Sequence, residues 1–402
     1  MAHIEDRWFT ADRKPKPRSG HGKRYRVRYE KPDGMQTSAS FGKKGDAERF
    51  RIRVEADLLA GTYADPEAGR TTLRTYAAGW LAAQSFDAVT RETVESRLRV
   101  HVLPQLGDHR LAELAARPSL IQAWLSGLKL APSTSGRVLT HLNTIMSAAV
   151  ADGVIARNPC RSPSIRAPRV TRRQVVPWTP QQSAAVRAAL PERLRAVVDA
   201  GTGLGLRQSE LFALAVEETD FLRRMVSVRQ QIKIIRGGMY YAAPKGAKER
   251  AVPLAWQTGA ALAAHLAAFP AVAVTLPWHE PGTRRHGKPH TSHLLFTTGG
   301  RALHRNGFNV DAWRPAVKAA GLPADRVNGC HMMRHVFAST LISRGVDVRT
   351  VAAYLGHSDG GALVLRTYSH LMPDAEDRAR RALEDELAAE GPTAPREGVN
   401  RG

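Results

Sequence analysis

The chain has 402 residues, 43% hydrophobic and 24% charged, and its 59 Lys and Arg against 37 Asp and Glu give a formal charge of +22. This length favours two or three globular domains, and the positive excess favours a polyanionic partner, nucleic acid before a membrane surface. No window approaches about 18 uninterrupted apolar residues, and the first residues lack the apolar core of a signal peptide. Two cysteines, Cys160 and Cys330, are too few for a disulfide framework or a four-cysteine zinc site. We therefore expect a cytoplasmic protein with reduced thiols and no membrane partner.

An arginine-rich strand is predicted near the start of the chain. Residues 13–28 contain eight basic side chains and no acid, and the segment RYRVRYE alternates basic with apolar residues as half-buried strands do. The basic positions of this strand are Arg24, Arg26 and Arg28. A turn at KPDGM and a return strand QTSASF follow, and a helix capped by Asp46 is predicted to run to Gly61. A small sheet with an arginine face favours insertion into a DNA groove, with a solvated basic face as the alternative.

Residues 71–160 carry only helical signals. Four segments have apolar residues at three- and four-residue spacing, with Thr, Ser, Pro and Gly at their ends, and they predict a four-helix domain. Six arginines, three prolines and no acid then follow within residues 157–173. We expect residues 161–174 to form a semi-extended linker that runs along a phosphate backbone. The linker arginines proposed to contact DNA are Arg166, Arg169 and Arg172.

The rest of the chain is predicted to be a mixed α+β domain. Helical patterns reach about residue 215, strand-like segments follow in MVSVRQQIKII, MYYAAP and RAVPL, and helices are expected from 256 onward. A loop of residues 279–293 contains four histidines, and its Gly, Pro and Arg content favours a solvated or DNA-facing loop over a metal site. Residues 391–402 are short, polar and expected to be disordered.

The segment HMMRH raises the question of a metal site. His331 and His335 are four residues apart, so on a helix they share a face and could hold zinc as the histidines of HExxH do. That motif has a glutamate after the first histidine, where this chain has Met332, and Arg334 is an unfavourable neighbour for a cation. The spacing alone therefore leaves a metal site and a phosphate site open.

Three further segments carry residues suited to phosphate chemistry. GTGLGLRQSELFALA has Arg207 at the start of a helix, and its glycines lack the spacing of a nucleotide-binding loop. In the same segment Glu210 could orient Arg207 or begin a solvated helix face. APKGAKERAVPL places Lys245 on a turn between two strand-like stretches, and YLGHSDGGALVLRTYSH contains His357 and Tyr368. Taken singly, each of these residues could be an ordinary surface or core residue.

The order Arg, Lys, His-x-x-Arg, Gly-His, Tyr resembles that of the tyrosine recombinases, the phage integrase family. The motifs TGLGLRQSEL, PKGAKERAVPL, HMMRHVFASTLISRG, YLGH and RTYSHLMPD follow one another over roughly residues 175–390. The resemblance implies a multidomain chain with three parts. These are a small β-sheet plus helix N-terminal arm-binding domain (1–66), an all-α core-binding domain (71–160) and a mixed α+β, mainly α, catalytic domain (175–390).

The resemblance also implies a covalent mechanism. In this family a tyrosine attacks a DNA phosphodiester and leaves a 3′-phosphotyrosine and a free 5′-hydroxyl. The nucleophile would be Tyr368, with His331 accepting its proton. Lys245 would protonate the departing 5′-oxygen, which an arginine could not do because it does not release its proton.

The remaining assigned residues would hold the phosphate. Arg207 and Arg334 would donate forked hydrogen bonds to the non-bridging oxygens, and His357 fills the position where the family uses His or Trp to orient the phosphate. Two guanidiniums would replace the cations of a metal nuclease, so the resemblance implies neither a metal nor another cofactor. His335 is then expected to be a packing or supporting residue.

The function implied is that of a site-specific integrase of a temperate phage or related mobile element. Its expected partners are double-stranded attachment sites of core and arm type, three further copies of itself in a tetramer that passes through a Holliday junction, a recombination directionality factor and a host DNA-bending protein. Two alternatives stay open at this point. One is a non-catalytic DNA-binding regulator with the same fold, and the other is a zinc enzyme built on His331 and His335.

Overall fold

The computed structural model describes residues 2–32, 34–61, 63–65, 67–170, 174–372, 380 and 383–387. The chain divides into two compact units, Met1–Arg172 and Arg173–Gly402. The predicted tail of residues 391–402 and the proposed DNA contact Arg172 lie outside the described residues. Within the described ranges, no helix is long and apolar enough to cross a membrane.

The first unit begins with a three-stranded antiparallel sheet in the order β1-β2-β3, followed by a helix. The elements are β1 His3–Asp6, β2 Tyr25–Glu30, β3 Gln36–Phe41 and α1 Lys44–Leu59. β2 and β3 confirm the predicted hairpin, and Val27 and Tyr29 are buried against α1 as the alternation requires. The predicted cap at Asp46 is wrong, because the helix begins earlier and Asp46 lies in its first turn, paired with Arg49.

Helices make up the rest of the first unit. They are α2 Leu73–Ala82, α3 Ala88–Arg97, α4 Leu103–Leu106, α5 Leu111–Ala116, α6 Pro118–Gly127 and α7 Pro132–Ala151. A π-helical turn, Leu98–Val102, joins α3 to α4. The predicted three- and four-residue spacing of apolar residues therefore continues from one helix into the other. The prediction of four helical segments is wrong, because the structure has a further short helix, α5. Its Leu111 and Leu114 are buried in the same core.

The basic segment after α7 is anchored over its first part. The side-chain amide of Asn158 donates to Ser147 Oγ at 2.8 Å, and Ile165 packs against the helical core. The backbone N–H of Arg166 donates to Gln122 Oε1 at 2.8 Å. Ile165 and Arg166, in the first part of the predicted linker, are therefore held on the helical domain, and a path of the linker along a phosphate backbone stays a prediction.

The second unit is a mixed α+β, mainly helical, domain. Its helices are α8 Pro180–Ala189, α9 Glu192–Leu204, α10 Gln208–Leu211, α11 Trp256–Ala268, α12 Arg305–Gly307, α13 Arg314–Ala319, α14 His331–Ser343, α15 Val348–Leu355 and α16 Ala362–Tyr368. Its strands are β4 Thr219–Asp220, β5 Met225–Val228, β6 Gln231–Ile235, β7 Gly238–Ala242, β8 Arg250–Pro253, β9 Val272–Pro277, β10 Pro289–Leu294, β11 Thr297–Thr298 and β12 Arg301–Ala302. β4, β5 and β8 form one sheet, and the other strands pair as the hairpins β6–β7, β9–β10 and β11–β12.

The prediction of helices alone from 256 onward is wrong, because α11 is followed by the long hairpin β9–β10. Its strands alternate buried and exposed side chains, with Val274 and Ser292 facing inward. His290 and His293 therefore lie on β10, and only the first two histidines of the predicted loop belong to the connection between the strands.

The glycine-rich segment before α10 serves close helix packing. A Cβ on Gly201 would lie 2.4 Å from Met333 Sδ, so only glycine lets α9 approach α14 this closely. Gly205 ends α9 in the left-handed region, with φ of +62°, and its Cα faces the ring of Phe337. This packing brings the end of α9 against the helix that carries the histidines.

Candidate active site

The junction between α9 and α10 positions Arg207 on a buried carboxylate. Arg207 is the N-cap residue of α10, and Glu210 accepts hydrogen bonds from its backbone N–H at 2.9 Å and from Nη1 at 2.8 Å. The Glu210 side chain is fully buried and also accepts two bonds from Arg250 at the start of β8, at 2.7 and 3.1 Å. One carboxylate therefore fixes both the helix start and the β8 strand.

The charges around Glu210 leave the site positive. Burial alone would raise the pKa of Glu210, but the hydrogen bond and charge of Arg250, together with Arg207, outweigh it and hold that pKa below its usual value. The carboxylate is thus ionised at neutral pH and balances one of the two arginines. The remaining positive charge favours an anionic ligand.

Arg334 enters the same site from α14 and is held by main-chain carbonyls. The residue is 3% exposed, and its guanidinium donates to Gly205 O at 2.9 Å and to Leu355 O at 2.5 Å. Arg207 Nη2 donates to the next carbonyl, Gly356 O, at 3.1 Å. Burial and then the charge of Arg207 lower the pKa of Arg334 to about 9, so it stays protonated at neutral pH. The two guanidiniums lie side by side on successive carbonyls.

His357, one residue beyond those carbonyls, has its protonation fixed by Arg334. Arg334 Nη2 lies 3.0 Å from His357 Nε2, and a guanidinium can only donate, so Nε2 accepts and the ring proton is on Nδ1. Burial, then the charges of Arg334 and Arg207, lower the pKa of His357 to about 4. Nδ1 is buried and has no hydrogen-bond partner among the described residues. The site therefore offers an N–H donor beside two guanidiniums.

The tyrosine and the two histidines of HMMRH form a continuous group. Tyr368 ends α16, is 4% exposed, and shares a 2.7 Å hydrogen bond between its hydroxyl and His335 Nδ1. The His335 ring packs edge to face on His331, with centroids 4.8 Å apart. Burial raises the pKa of Tyr368 to about 12. Loss of hydration, and then nearby positive charge that includes Arg334, lowers the pKa of both histidines to about 4, so both are neutral at pH 7.

Lys245 lies where the sequence predicts, on the turn between β7 and β8, and it is exposed. No hydrogen bond or ion pair joins its side chain to another described residue. The turn is tied to the site at its far end, because Arg250 binds Glu210. Of the six predicted catalytic residues, the structure thus brings five together, and Lys245 lies on the exposed turn between β7 and β8.

The described residues provide no third ligand for a zinc ion held by His331 and His335. Among residues 2–372, apart from the undescribed gaps, no group of three or more His, Cys, Asp or Glu side chains is arranged to hold a metal ion. His335 is instead bonded to Tyr368, and the cations closest to His331 are arginines. The local chemistry suits an anion.

The arginines proposed for DNA binding in the first unit differ in their freedom. Arg24 pairs with Asp6 at 2.9 Å and lies over the Phe9 ring, and Arg28 pairs with Glu5 at 3.1 Å. Both carboxylates come from β1 or its end, which the sequence did not predict, so the arginine face carries acids as well. The other described candidates are Arg26, which is half-buried, and the exposed Arg166 and Arg169.

Two important residues were not predicted as part of the site. The sequence pattern does not single out Arg250, which follows Lys245 by five residues and begins β8. The role of Glu210 was left open between orienting Arg207 and facing solvent, and the structure supports the first. The available signal was the three-residue spacing of a capping box, in which the N3 glutamate bonds back to the N-cap backbone.

Comparison with known proteins finds similarity to integrases both in sequence and in fold. The profile of the phage integrase family matches residues 181–374. The chain is 27% identical over 384 residues to a putative prophage phiRv2 integrase of Mycobacterium tuberculosis, covering 91% of this chain and 93% of that protein. Its fold is similar to that of a Tn1549 transposon integrase in complex with a circular intermediate DNA, with a TM-score of 0.63, 20% identity, and coverage of 78% and 99%. It is also similar to a lambda integrase tetramer bound to a Holliday junction, with a TM-score of 0.53, 16% identity, and coverage of 87% and 92%.

Proposed function

Because the chain belongs to the phage integrase family of tyrosine recombinases, we propose that it breaks and rejoins DNA through a covalent 3′-phosphotyrosine on Tyr368. The enzyme is a site-specific DNA recombinase that integrates a mobile element. The observation that carries the assignment of residues is the placement of Arg207 and Arg334 on successive carbonyls beside His357. That placement offers two guanidiniums and one N–H to a single phosphate.

The phosphate is held by charge-assisted hydrogen bonds. In the transition state the non-bridging oxygens gain negative charge, and fixed cations in a water-poor pocket stabilise that charge strongly. Arg334 is buried and locked by two carbonyls and a histidine, so its free N–H groups point in a fixed direction. His357 adds its Nδ1–H. Because the arginines supply the positive charge, the proposed reaction requires no metal or other cofactor.

The nucleophile must leave its observed hydrogen bond to react. With a pKa near 12 in its buried position, Tyr368 is protonated at pH 7, and each pKa unit costs about 1.4 kcal/mol of ionisation. Movement of the hydroxyl from His335 toward the arginines would lower that pKa. His331 is neutral at pH 7 and exposed, and we assign it the acceptance of the phenolic proton as Tyr368 attacks.

Lys245 would close the reaction by protonating the departing 5′-oxygen. Its exposed turn can move without disturbing the core, since the described structure gives its side chain no bond to break. An ammonium can release a proton, whereas the arginines beside the phosphate cannot. The reverse step, in which the 5′-hydroxyl attacks the phosphotyrosine, would use the same groups and would conserve the bond energy.

The proposed partners follow the division of the chain. The helices of residues 71–160 and the second unit would each bind core-type DNA, and the sheet of residues 1–66 would bind arm-type DNA through its arginines, Arg26 among them. A homotetramer on a Holliday junction is proposed from the lambda integrase assembly. A recombination directionality factor and a host DNA-bending protein complete the set, with action on the nucleoid in the bacterial cytoplasm.

A covalent trap tests this function. The full chain is incubated in EDTA with nicked duplexes that cover the DNA beside its own gene, and denaturing gels are searched for a protein–DNA adduct. Wild type and Tyr354→Phe, which removes a phenolic hydroxyl from α15, should form the adduct, and Tyr368→Phe should not. An adduct that persists in Tyr368→Phe would exclude this nucleophile. Tight binding without an adduct on any fragment would favour a non-catalytic regulator.

A further inference from the structure

The hairpin β9–β10 presents an ordered basic loop, which we call the hairpin loop and define as residues 279–288. The antiparallel register runs from Val272–Leu294 to Pro277–Pro289, and Trp278 closes it with backbone bonds to Lys288 and Gly287, both at 2.8 Å. Further backbone bonds within the loop join Thr283 to Glu280 and His286 to Thr283, both at 3.2 Å. The loop is therefore a structured projection and its side chains have defined positions.

An aromatic base fixes the hairpin loop to the domain. Trp278 is 4% exposed and packs edge to face on His290, with ring centroids 5.1 Å apart, and His290 packs in the same way on Tyr241 of β7 at 5.2 Å. The guanidinium of Arg285 covers the Trp278 ring at 3.8 Å. This packing leaves the hairpin little freedom to swing away from β7.

The hairpin loop emerges beside the turn that carries Lys245. Tyr241 and Trp278 form a parallel bridge, and the N–H of His279 donates to Tyr241 O at 2.7 Å. Strands joined in parallel run in the same direction, so the chain leaves β7 and β9 at the same end. Neighbouring strands are about 4.8 Å apart, which places the two exits next to each other. One leads to Lys245 and the other to the hairpin loop.

The charge of the hairpin loop is positive and exposed. Its basic residues are Arg284, Arg285 and Lys288, all exposed, and its one acid is Glu280. Glu280 is turned back to accept a 2.9 Å bond from Trp278 Nε1. Within the described part of the chain, no hydrogen bond or ion pair engages the side chains of Arg284 and Lys288. Two cations are thus available on a rigid support.

We propose that the hairpin loop is a second DNA-backbone contact of this unit, and that Arg284 and Lys288 bind phosphates flanking the one that reacts. This inference rests on the proposed function, since it takes its position from Lys245 reaching the cleaved DNA. Duplex DNA carries a charge about every 1.7 Å along its axis, so a rigid basic loop one strand away from Lys245 meets further phosphates. The contact would be independent of sequence and would hold the DNA in register for attack.

The test compares the salt dependence of binding in matched double variants of the full chain. Arg284→Gln with Lys288→Gln removes two charges from the hairpin loop. The control, Arg223→Gln with Arg236→Gln, removes two from the turns before β5 and β7, at the opposite end of these strands. All proteins carry Tyr368→Phe, and affinity for a fluorescent mixed-sequence duplex is measured over a range of NaCl concentrations.

Each phosphate contact contributes about 0.9 to the slope of log affinity against log salt. The hairpin-loop variant should therefore lower the slope by about two, and the control should leave it unchanged. An unchanged slope in the hairpin-loop variant overturns the inference while the proposed function stands, and so does an equal loss in the control, which would mean a net-charge effect. Unchanged DNA binding, together with lost recombination when the same loop substitutions are made in a chain that keeps Tyr368, would make the loop a protein-binding surface and also overturns it. If no protein in the set binds duplex DNA, both the inference and the proposed function are wrong.

Discussion

Replacing Glu210 with glutamine should destabilise the second unit and disable its active site together. The substitution keeps the size of the side chain but removes the charge that lies between Arg207 and Arg250. Removing one partner of a buried ion pair costs about 3–5 kcal/mol, because a buried charge is left uncompensated. Arg207 is 22% exposed and keeps its bond to Gly356, so we expect the lower end, about 3 kcal/mol.

Thermal unfolding of the full chain measures this effect. For a unit of this size, about 2–4 °C accompany each kcal/mol, which predicts a midpoint lower by roughly 6–12 °C. The control is Glu249→Gln, which removes a carboxylate from an exposed pair with Arg229 and should cost less than about 1 kcal/mol. A Glu210→Gln midpoint within the range of the control would refute the inference that this carboxylate organises the site.

The same variant should alter the response to acid. A carboxylate whose pKa is lower in the folded than in the unfolded protein contributes its full stability above its unfolded value, about pH 4.3, and loses it as the pH falls through the folded value. Wild type should therefore lose stability more steeply than Glu210→Gln in that acid range. Parallel pH profiles of the two proteins would contradict the lowered pKa.

Three further outcomes are expected. Gly201→Ala should destabilise the fold by about 1–3 kcal/mol, because its Cβ would lie 2.4 Å from Met333 Sδ. The control Gly259→Ala in α11, whose Cβ would meet its nearest atom at 3.5 Å, should stabilise the fold by about 0.5–1 kcal/mol. Shifts of the two unfolding midpoints in the same direction would exclude close packing as the reason for Gly201. The pKa of His335 is about 4 in the folded protein and about 6.5 in the unfolded protein, so its contribution to stability is complete above pH 6.5 and falls by about 2 kcal/mol by pH 5. The thermal unfolding midpoint of His335→Gln should therefore fall less than that of wild type between pH 6.5 and pH 5. Lys245→Ala should slow cleavage about 10²–10⁴-fold, and a 5′-thio leaving group, which departs without a proton, should restore the rate; no restoration would remove Lys245 as the acid.

Residues with a local pattern were the predictable part of this protein. Arg207 was expected at a helix start, Lys245 on a turn between strands and His331 with His335 on one helical face, and each lies there. Those features depend on spacing within a few residues, which the sequence states directly. β2 followed in the same way from strict alternation, and β3 from the turn KPDGM that precedes it.

Features that depend on distant pairing were not predictable. Glu210 and Arg250 are separated by 40 positions, and the residues around either one give no indication that the two side chains pair. The strand β1 has one aliphatic residue, Ile4, and exists because β2 offers it a pairing edge. Its acids then neutralise part of the arginine face, so the predicted charge of that face was too high.

The glycine-rich segment before α10 has a pattern that suggests ligand binding, whereas its glycines serve helix packing. Its glycine content before a helix suggests a nucleotide-binding loop, but the spacing of the glycines does not match that motif. The structure gives the glycines a mechanical role, since α9 can approach α14 and α11 only where side chains are missing. The same approach brings Gly205 O within reach of Arg334.

If Arg207 and Arg334 hold the reacting phosphate as proposed, their carbonyl anchors determine when the chain becomes able to cleave DNA. Arg334 donates to the carbonyls of Gly205, 129 positions earlier, and Leu355, 21 positions later. Arg207 donates to the carbonyl of Gly356, 149 positions later. In the proposed function the first unit binds DNA, and its residues, which end at position 172, leave the ribosome long before Gly356 does. On that proposal, a nascent or truncated chain that ends before Leu355 would bind DNA through its first unit and would not cleave it.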